Sequence, residues 1–118
     1  MLPRVLVVED DLPTLRMIEL ALSDSGYTIA TARDGDLAIG ECLVTDPDVI
    51  VLDLRLPRRD GRQFLHWYRR HSGKAKVVVV SGASENDPLV QGLVADDFID
   101  KPFDVDRLSR SVERLASH

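Results

Sequence analysis

The residues of this sequence best suited to chemistry stand directly behind short aliphatic runs. Glu9, Asp10 and Asp11 follow RVLVV, Asp53 follows DVIVL, Ser81 follows KVVVV, and Lys101 comes just past DFI. Carboxylates brought to one place repel one another and hold raised pKa values unless a cation joins them. Hard oxygen donors of this kind select magnesium or manganese. A carboxylate such as Asp53 can attack phosphorus and form an acyl phosphate, provided the charge on the moving group is neutralised. Magnesium, the Lys101 ammonium and the Ser81 hydroxyl have the chemistry to do so. Gly35, Gly40, Gly61, Gly73, Gly82 and Gly92 are scattered rather than gathered in a phosphate-cradling loop, which speaks against ATP as the donor. The expected donor is another protein or a small acyl phosphate. Asp11 is set apart from this group, because an acid at a helix start is explained by the helix dipole.

Bringing these residues together requires strands that end at one edge. The runs over 4–8, 27–31, 48–52, 76–80 and 97–99 read as strands, three of them almost purely aliphatic, as in parallel strands covered on both faces. Longer amphipathic segments alternate with them. Leu15, Ile18 and Leu22 form one helical stripe that stops at Gly26, and Asp34-Gly35 forms a turn before a helix over 37–44. A third helix is predicted over 61–71. Asp87-Pro88 has the form of an N-cap followed by proline at the first helical position, which predicts a fourth. A fifth opens at Asp104 with Val105, Leu108, Val112 and Leu115 on one face. The sum is an α/β sandwich of five strands and five helices. In such open parallel sheets ligands bind outside the carboxyl ends of the strands, which is where Glu9, Asp10, Asp53, Ser81 and Lys101 fall.

The 118 residues suit one domain, and 44% hydrophobic with 30% charged residues is the composition of a chain that folds alone. The longest apolar runs are too short to cross a bilayer and the first four residues carry no signal-peptide pattern, so a cytoplasmic location and no membrane contact are expected. The one cysteine, Cys42, is read as a buried, inert thiol. A net charge of −5 argues against direct nucleic-acid binding. The charge is segregated: residues 55–76 hold eight arginines and lysines against Asp60, and residues 81–106 hold seven acids against Lys101. Two solvated faces are the first reading, and a polar surface that selects partners the second.

The blocks RVLVVEDD, DVIVLDLRLPRRDG, VVVVSGAS and FIDKPF, in this order and spacing, resemble the signature of the response-regulator receiver domain of two-component signalling. The resemblance covers essentially the whole chain, 1–118. It implies a flavodoxin-like doubly wound (βα)5 fold with strand order 2-1-3-4-5, and a phosphorylation switch that is not a conventional enzyme. It further implies that Asp53 accepts a phosphoryl group from a phosphohistidine and that Asp10 and Asp53 ligate Mg2+ (or Mn2+). Glu9 would act on the metal through water, and the backbone carbonyl of Arg55 would be a further ligand. Lys101 would pair with the phosphoryl oxygens, Ser81 would swing toward them, and Phe98 would be the aromatic switch. The Lys101-Pro102 peptide would be cis. The implied partners are a sensor histidine kinase or histidine phosphotransfer protein and a downstream protein or effector domain, with a homodimer through the fourth and fifth helices.

The sequence departs from the commonest pattern at Glu9, which replaces an aspartate, at Ser81, where threonine is more usual, and at Phe98, which lacks a tyrosine hydroxyl. Arg55 and Ala83 occupy the two positions that flank the phosphoryl group. A phosphatase of the haloacid dehalogenase type also forms an aspartyl phosphate, but it needs a second aspartate two residues on, where Arg55 stands. A pseudo-receiver would lack Asp10, Asp53 or Lys101, and all three are present. His66, His71 and His118 share no metal-binding spacing and are read as surface residues; Trp67 and Tyr68 are read as packing. The Arg58-Arg59 pair is read as solvated, with steering of an acidic partner as the alternative. No effector segment is evident in the 118 residues, which leaves open a stand-alone regulator, a relay intermediate or part of a longer protein.

Overall fold

Aliphatic strands with no polar alternation have to be covered on both faces, and the chain does this with helices on each side of one sheet. The computed structural model describes residues 2–83 and 86–117; Met1, Ser84, Glu85 and His118 lie outside them. β1 (Arg4–Val8), β2 (Thr28–Ala32), β3 (Val49–Leu52), β4 (Lys76–Ser81) and β5 (Asp97–Asp100) pair in parallel in the order β2-β1-β3-β4-β5, the expected order. Val5 to Val8 stand beside Val49 to Leu52, so β1 and β3 end level and deliver Glu9 and Asp53 to the same edge.

Among the described residues four helices cover the sheet: α1 (Leu12–Ser23), α2 (Gly35–Thr45), α3 (Gly61–Arg70) and α4 (Val105–Ala116). Each begins behind an aspartate whose carboxylate accepts a free backbone N–H of the first turn: Asp11 from Thr14, Asp34 from Leu37, Asp60 from Gln63 and Asp104 from Asp106. At α3 the Gln63 side chain also accepts from the Asp60 N–H, which closes a capping box. Asp34-Gly35 is therefore a cap and first helical residue rather than a separate turn. Alternate strand residues face opposite cores. Leu6, Val8, Ile50, Leu52, Val77 and Val79 pack toward α2 and α3, while Val5, Val7, Val49, Val51, Val78 and Val80 pack toward α1 and α4. None of the described helices is long and apolar enough to cross a membrane.

The fourth helix predicted after Asp87-Pro88 does not form; among the described residues 86–96 make only turns. The Asp87 carboxylate accepts from Leu89 N–H (2.9 Å), and its carbonyl accepts from Val90 (2.9 Å) and Gln91 (3.2 Å). The cap thus works for one turn. Gly92 then enters the left-handed region at φ +70° and the chain turns away. Five residues from Pro88 to Gly92 are too few to repay helix nucleation.

Three arginines spaced by seven contact this connection or its end. Arg55 pairs with Asp87; Arg62 on α3 donates to the carbonyls of Gln91 (2.5 Å) and Leu89 (3.4 Å); Arg69 lies 3.9 Å from Asp96 and donates to the carbonyls of Gly73 and Ala75. Two ion pairs, Arg55–Asp87 and Arg69–Asp96, therefore join the basic segment to the acidic one. Arg58 and Arg59 are likewise paired, with Asp34 (3.5 Å) and Asp36 (3.0 Å) at the start of α2, rather than simply solvated.

Candidate functional site

Parallel strands carry their last residues to a common edge, and here that edge is acidic. The Glu9 N–H donates to the carbonyl of Ala32 and the Asp53 N–H to that of Val8, both at 3.0 Å, so the ladder hydrogen bonds run on through the two acids. Glu9 is 2% exposed and Asp53 6%. Asp10, half buried, sits between β1 and α1, and its carbonyl accepts from the Arg33 guanidinium (3.1 Å). Glu9, Asp10 and Asp53 each offer a carboxylate oxygen within 4.8 Å of the others. Opposite ligands of a magnesium ion lie roughly 4.2 Å apart, so this set fits a small, hard divalent cation without rearranging the strands.

Lys101, directly behind β5 and followed by a cis peptide bond to Pro102, supplies the opposing charge. Its Nζ donates to Glu9 Oε1 at 2.6 Å and stands 3.5 Å from Asp53 Oδ2. Burial raises the Glu9 pKa above the ordinary carboxylate value; the Lys101 hydrogen bond opposes this and the Asp53 charge adds to it. Burial would lower the Lys101 pKa, but its hydrogen bond to Glu9 and the Asp53 charge outweigh that, and the ammonium is held above its usual value. Glu9, buried, and Lys101, half buried, thus form one ion pair in the pocket. From sequence, Lys101 is assigned to phosphoryl oxygens alone.

The loop after β3 folds back over the strand end. Gly61 N–H donates to Leu54 carbonyl (2.8 Å), and a Cβ at Gly61 would lie 2.4 Å from the carbonyl oxygen of Asp53, so only glycine permits this approach. The Arg55 N–H points at Asp53 Oδ1 (3.4 Å). Ser81 closes the far side: it is buried, its Oγ accepts from Ala83 N–H (3.1 Å), and its carbonyl accepts from Lys101 N–H (3.0 Å). Asp10, Glu9, Asp53, Ser81 and Lys101 are therefore brought together as the sequence predicts. Asp11 is the cap of α1 and stays out.

Phe98 is different. It lies on the sheet face that the missing helix would cover and is 42% exposed. A cavity of about 760 Å³ opens there, lined by Leu54, Val79, Ser81, Val90, Phe98 and Lys101 among others, between the Ser81 and Lys101 side of the site and the β4–β5 connection. Two contacts at the site are not legible in the sequence. Arg33 reaches the Asp10 carbonyl across 23 residues and Arg55 reaches Asp87 across 32, and nothing local marks either pair. His66 and His71 are exposed, Tyr68 is buried with its hydroxyl accepting from Ala75 N–H (2.9 Å), and Trp67 is half buried. Cys42 is half buried, and burial pushes its thiol up to about 12, so it is inert as a nucleophile.

Comparison with known proteins agrees with this geometry. The family described as the response regulator receiver domain matches residues 5–113. Over 115 residues the chain is 40% identical to the transcriptional regulatory protein PrrA of Mycobacterium tuberculosis, with 96% of this chain and 49% of that protein covered. Over 118 residues it is 34% identical to the transcriptional regulatory protein KdpE of Staphylococcus aureus, with 96% and 51% covered. The chain thus spans about half the length of the curated relatives it matches. Among solved structures it is similar to the receiver domain of the Francisella response regulator 1452, with a TM-score of 0.88 at 30% identity over 98% of this chain and 97% of that one.

Proposed function

The chain belongs to the response regulator receiver domain family, and from that premise we propose that Asp53 is the phosphoacceptor of a phosphorylation-dependent signalling switch. The observation that carries the reading is the convergence on Asp53 of two further acids and one ammonium, all at one strand edge. The donor is a phosphohistidine on a sensor kinase or histidine phosphotransfer protein. An Asp53 oxygen attacks phosphorus, the new O–P bond forms as the N–P bond breaks, and the imidazole leaves with the electron pair.

Asp10 and Asp53 would hold Mg2+ directly, Glu9 through water, and the Arg55 carbonyl would complete the protein's share. When bound, the ion supplies charge neutralisation for the transferring group. Lys101 meets the equatorial oxygens from the other side, exchanging part of its contact with Glu9 for them. Ser81 lines the cavity, where its hydroxyl, which accepts from the Ala83 N–H, can donate its own hydrogen to a phosphoryl oxygen. Phe98, uncovered, is free to repack into that cavity, and the surface of the β4–β5 connection, β5 and α4 changes with it for a downstream protein or effector domain. Because the described residues 86–96 form turns, a homodimer on this surface would rest on β5, α4 and those turns.

Receiver domains are not conventional enzymes, and loading and self-hydrolysis at Asp53 are the only reactions assigned to this one. The reading places its action in the cytoplasm. Nothing favours the phosphatase alternative, since Arg55 occupies the position of the needed acid and points to Asp87. Incubation with acetyl phosphate, followed by intact mass with and without Mg2+, tests the proposal. A Mg2+-dependent, hydroxylamine-labile adduct that Asp53→Asn abolishes is expected. Equal labelling of Asp53→Asn would remove Asp53 from the role.

A further inference from the structure

We infer that β2 is a self-association edge, at which two copies of this chain pair their β2 strands antiparallel about a two-fold axis at Ala30 and join their sheets. The surface lies apart from Asp53, Ser81, Phe98 and α4, and the inference does not depend on phosphoryl transfer. β2 and β5 are the two edges of the sheet, and their residues treat an edge differently. β5 is DFID, with Asp97 and Asp100 at its ends, and acids on an edge strand oppose pairing with another chain. β2 is TIATA, and from Ser25 to Ala32 there is neither a charge nor a proline. Its register against β1 runs without a bulge from Thr28 to Ala32. None of the usual guards of an open edge is present on β2.

The hydrogen bonds of β2 specify what a partner strand meets. Thr28 N–H donates to the Pro3 carbonyl and Glu9 N–H to the Ala32 carbonyl, both at 3.0 Å, so Thr28, Ala30 and Ala32 turn their backbone groups toward β1. Ile29 and Thr31 turn theirs outward, and among the described residues no strand lies beyond them. Opposed residues of an antiparallel pair exchange both bonds or neither, in alternation. A two-fold at Ala30 sets Ile29 of each copy opposite Thr31 of the other, which uses every outward group of both. On α2, Ala38 and Cys42 face the core; Asp36, paired with Arg59, and Leu43, beside Trp67, flank them on the α3 side. Leu37 and Val44, 56% and 84% exposed, therefore stand on the other flank, beside β2. The same two-fold brings the two α2 helices side by side, with Leu37 of one toward Val44 of the other. Gly40, between them in sequence, weakens the helix although nothing within 4 Å would meet a Cβ there; a close helix approach gives it a use. Charge agrees at the ends of the strands, since the exposed Arg33 of each copy comes to the Tyr27 end of the other, where Asp24 is exposed. Glu41, between Leu37 and Val44, brings like charges near the axis and keeps the pairing weak. A short strand and two apolar side chains form an interface at the small end of specific contacts, so the dimer is reversible.

Sedimentation equilibrium and amide hydrogen exchange test the inference on wild type, Thr31→Pro and Val44→Glu. Thr31→Pro removes an N–H that the chain's own ladder does not use, a place where an edge strand tolerates proline. Val44→Glu changes a side chain that is almost wholly in water, so it keeps the fold and decides the matter if Thr31→Pro does not fold. Wild type is expected to dimerise with a dissociation constant on the order of tens of micromolar, the scale of a small interface. The Ile29 and Thr31 amides are expected to exchange about fivefold more slowly in the concentrated sample than in the dilute one, because only the dimer gives them acceptors. Val44→Glu, and Thr31→Pro where it folds, are expected to weaken the dimer at least about tenfold, the loss of a desolvated contact or of a paired hydrogen bond. A wild type that stays monomeric at millimolar concentration, a dimer as tight in Val44→Glu as in wild type, or Ile29 and Thr31 exchange that ignores concentration would each overturn the inference. So would a dimer that forms only with beryllofluoride, since it would place the contact on the surface around Phe98 and α4.

Discussion

The two faces of the sheet are covered by different means. On one, α1 and α4, twelve residues each, lay continuous apolar stripes over Val5, Val51, Val78 and Val80, and Leu108 and Val112 are fully enclosed. On the other, α2 and α3 cover β1 and β3, but the ground over β4 and β5 is left to turns that only half bury Leu89, Val90 and Leu93. There Val94 is 81% exposed and the cavity stays open under Phe98. The fully covered face holds the strand ends in register; the half-covered face leaves room for side chains beside Ser81 and Lys101 to move. Rigidity and response have been assigned to opposite sides of the same strands.

The contrast is sharpest in the response to truncation. Leu108→Ala is expected to cost about 3 kcal/mol, because the well-packed α1/α4 side cannot collapse around the lost volume, whereas Val90→Ala costs less than about 1 kcal/mol. Urea unfolding of both variants measures the difference, and comparable losses would mean that the two faces are equally packed. Gly92→Ala is a question of sign. In a helix the change would stabilise; at φ +70° it is expected to destabilise by roughly 1 kcal/mol, since a Cβ there has space but a disfavoured backbone. A stabilised Gly92→Ala would show that the connection is helical after all.

The smallest effect concerns Asp97, which ties β5 to α4. Hydrogen bonds from Arg107, Ser111 and the Phe98 N–H hold its carboxyl down to about 2, from an ordinary value of 3.8, with Arg114 a further 3.2 Å contact. A folded-state pKa below the unfolded one stabilises the protein fully above the unfolded value, and that stability is lost as pH falls from about 4 through about 2. The network is partly exposed, so its worth is on the order of 1 kcal/mol after solvent screening. The stability gap between wild type and Asp97→Asn should therefore be present at neutral pH and narrow as the pH falls through that window. A gap independent of pH would assign the role of Asp97 to shape rather than charge.

What the sequence made legible follows the reach of its signals. Strands β1, β3 and β4 are nearly pure aliphatic runs, and their positions followed to within a residue, as did that of β2, displaced by one residue at both ends. The acids and Lys101 were legible because each closes such a run. Asp11 and Asp104 were legible as helix-start residues from local pattern, whereas Asp60, which caps α3 in the same way, was not singled out. Asp87-Pro88 carried the same local pattern and misled, because an N-cap specifies where a helix could start and says nothing of Gly92, which stops it after one turn. Arg55–Asp87 and Arg33–Asp10 span 32 and 23 residues, and pairs at that distance leave no periodicity to read. The charge segregation between 55–76 and 81–106 was visible, and the structure joins the two segments at Arg55–Asp87 and Arg69–Asp96.

Borohydride reduction most directly tests the claim that Asp53 is the phosphoacceptor, because it converts an aspartyl phosphate into homoserine and so marks the residue that carried the group. After loading with acetyl phosphate and Mg2+, reduction and peptide mass mapping, homoserine is expected at position 53 and nowhere else. Homoserine at position 10, or an unmodified position 53 in a protein that has gained phosphate, would contradict the account.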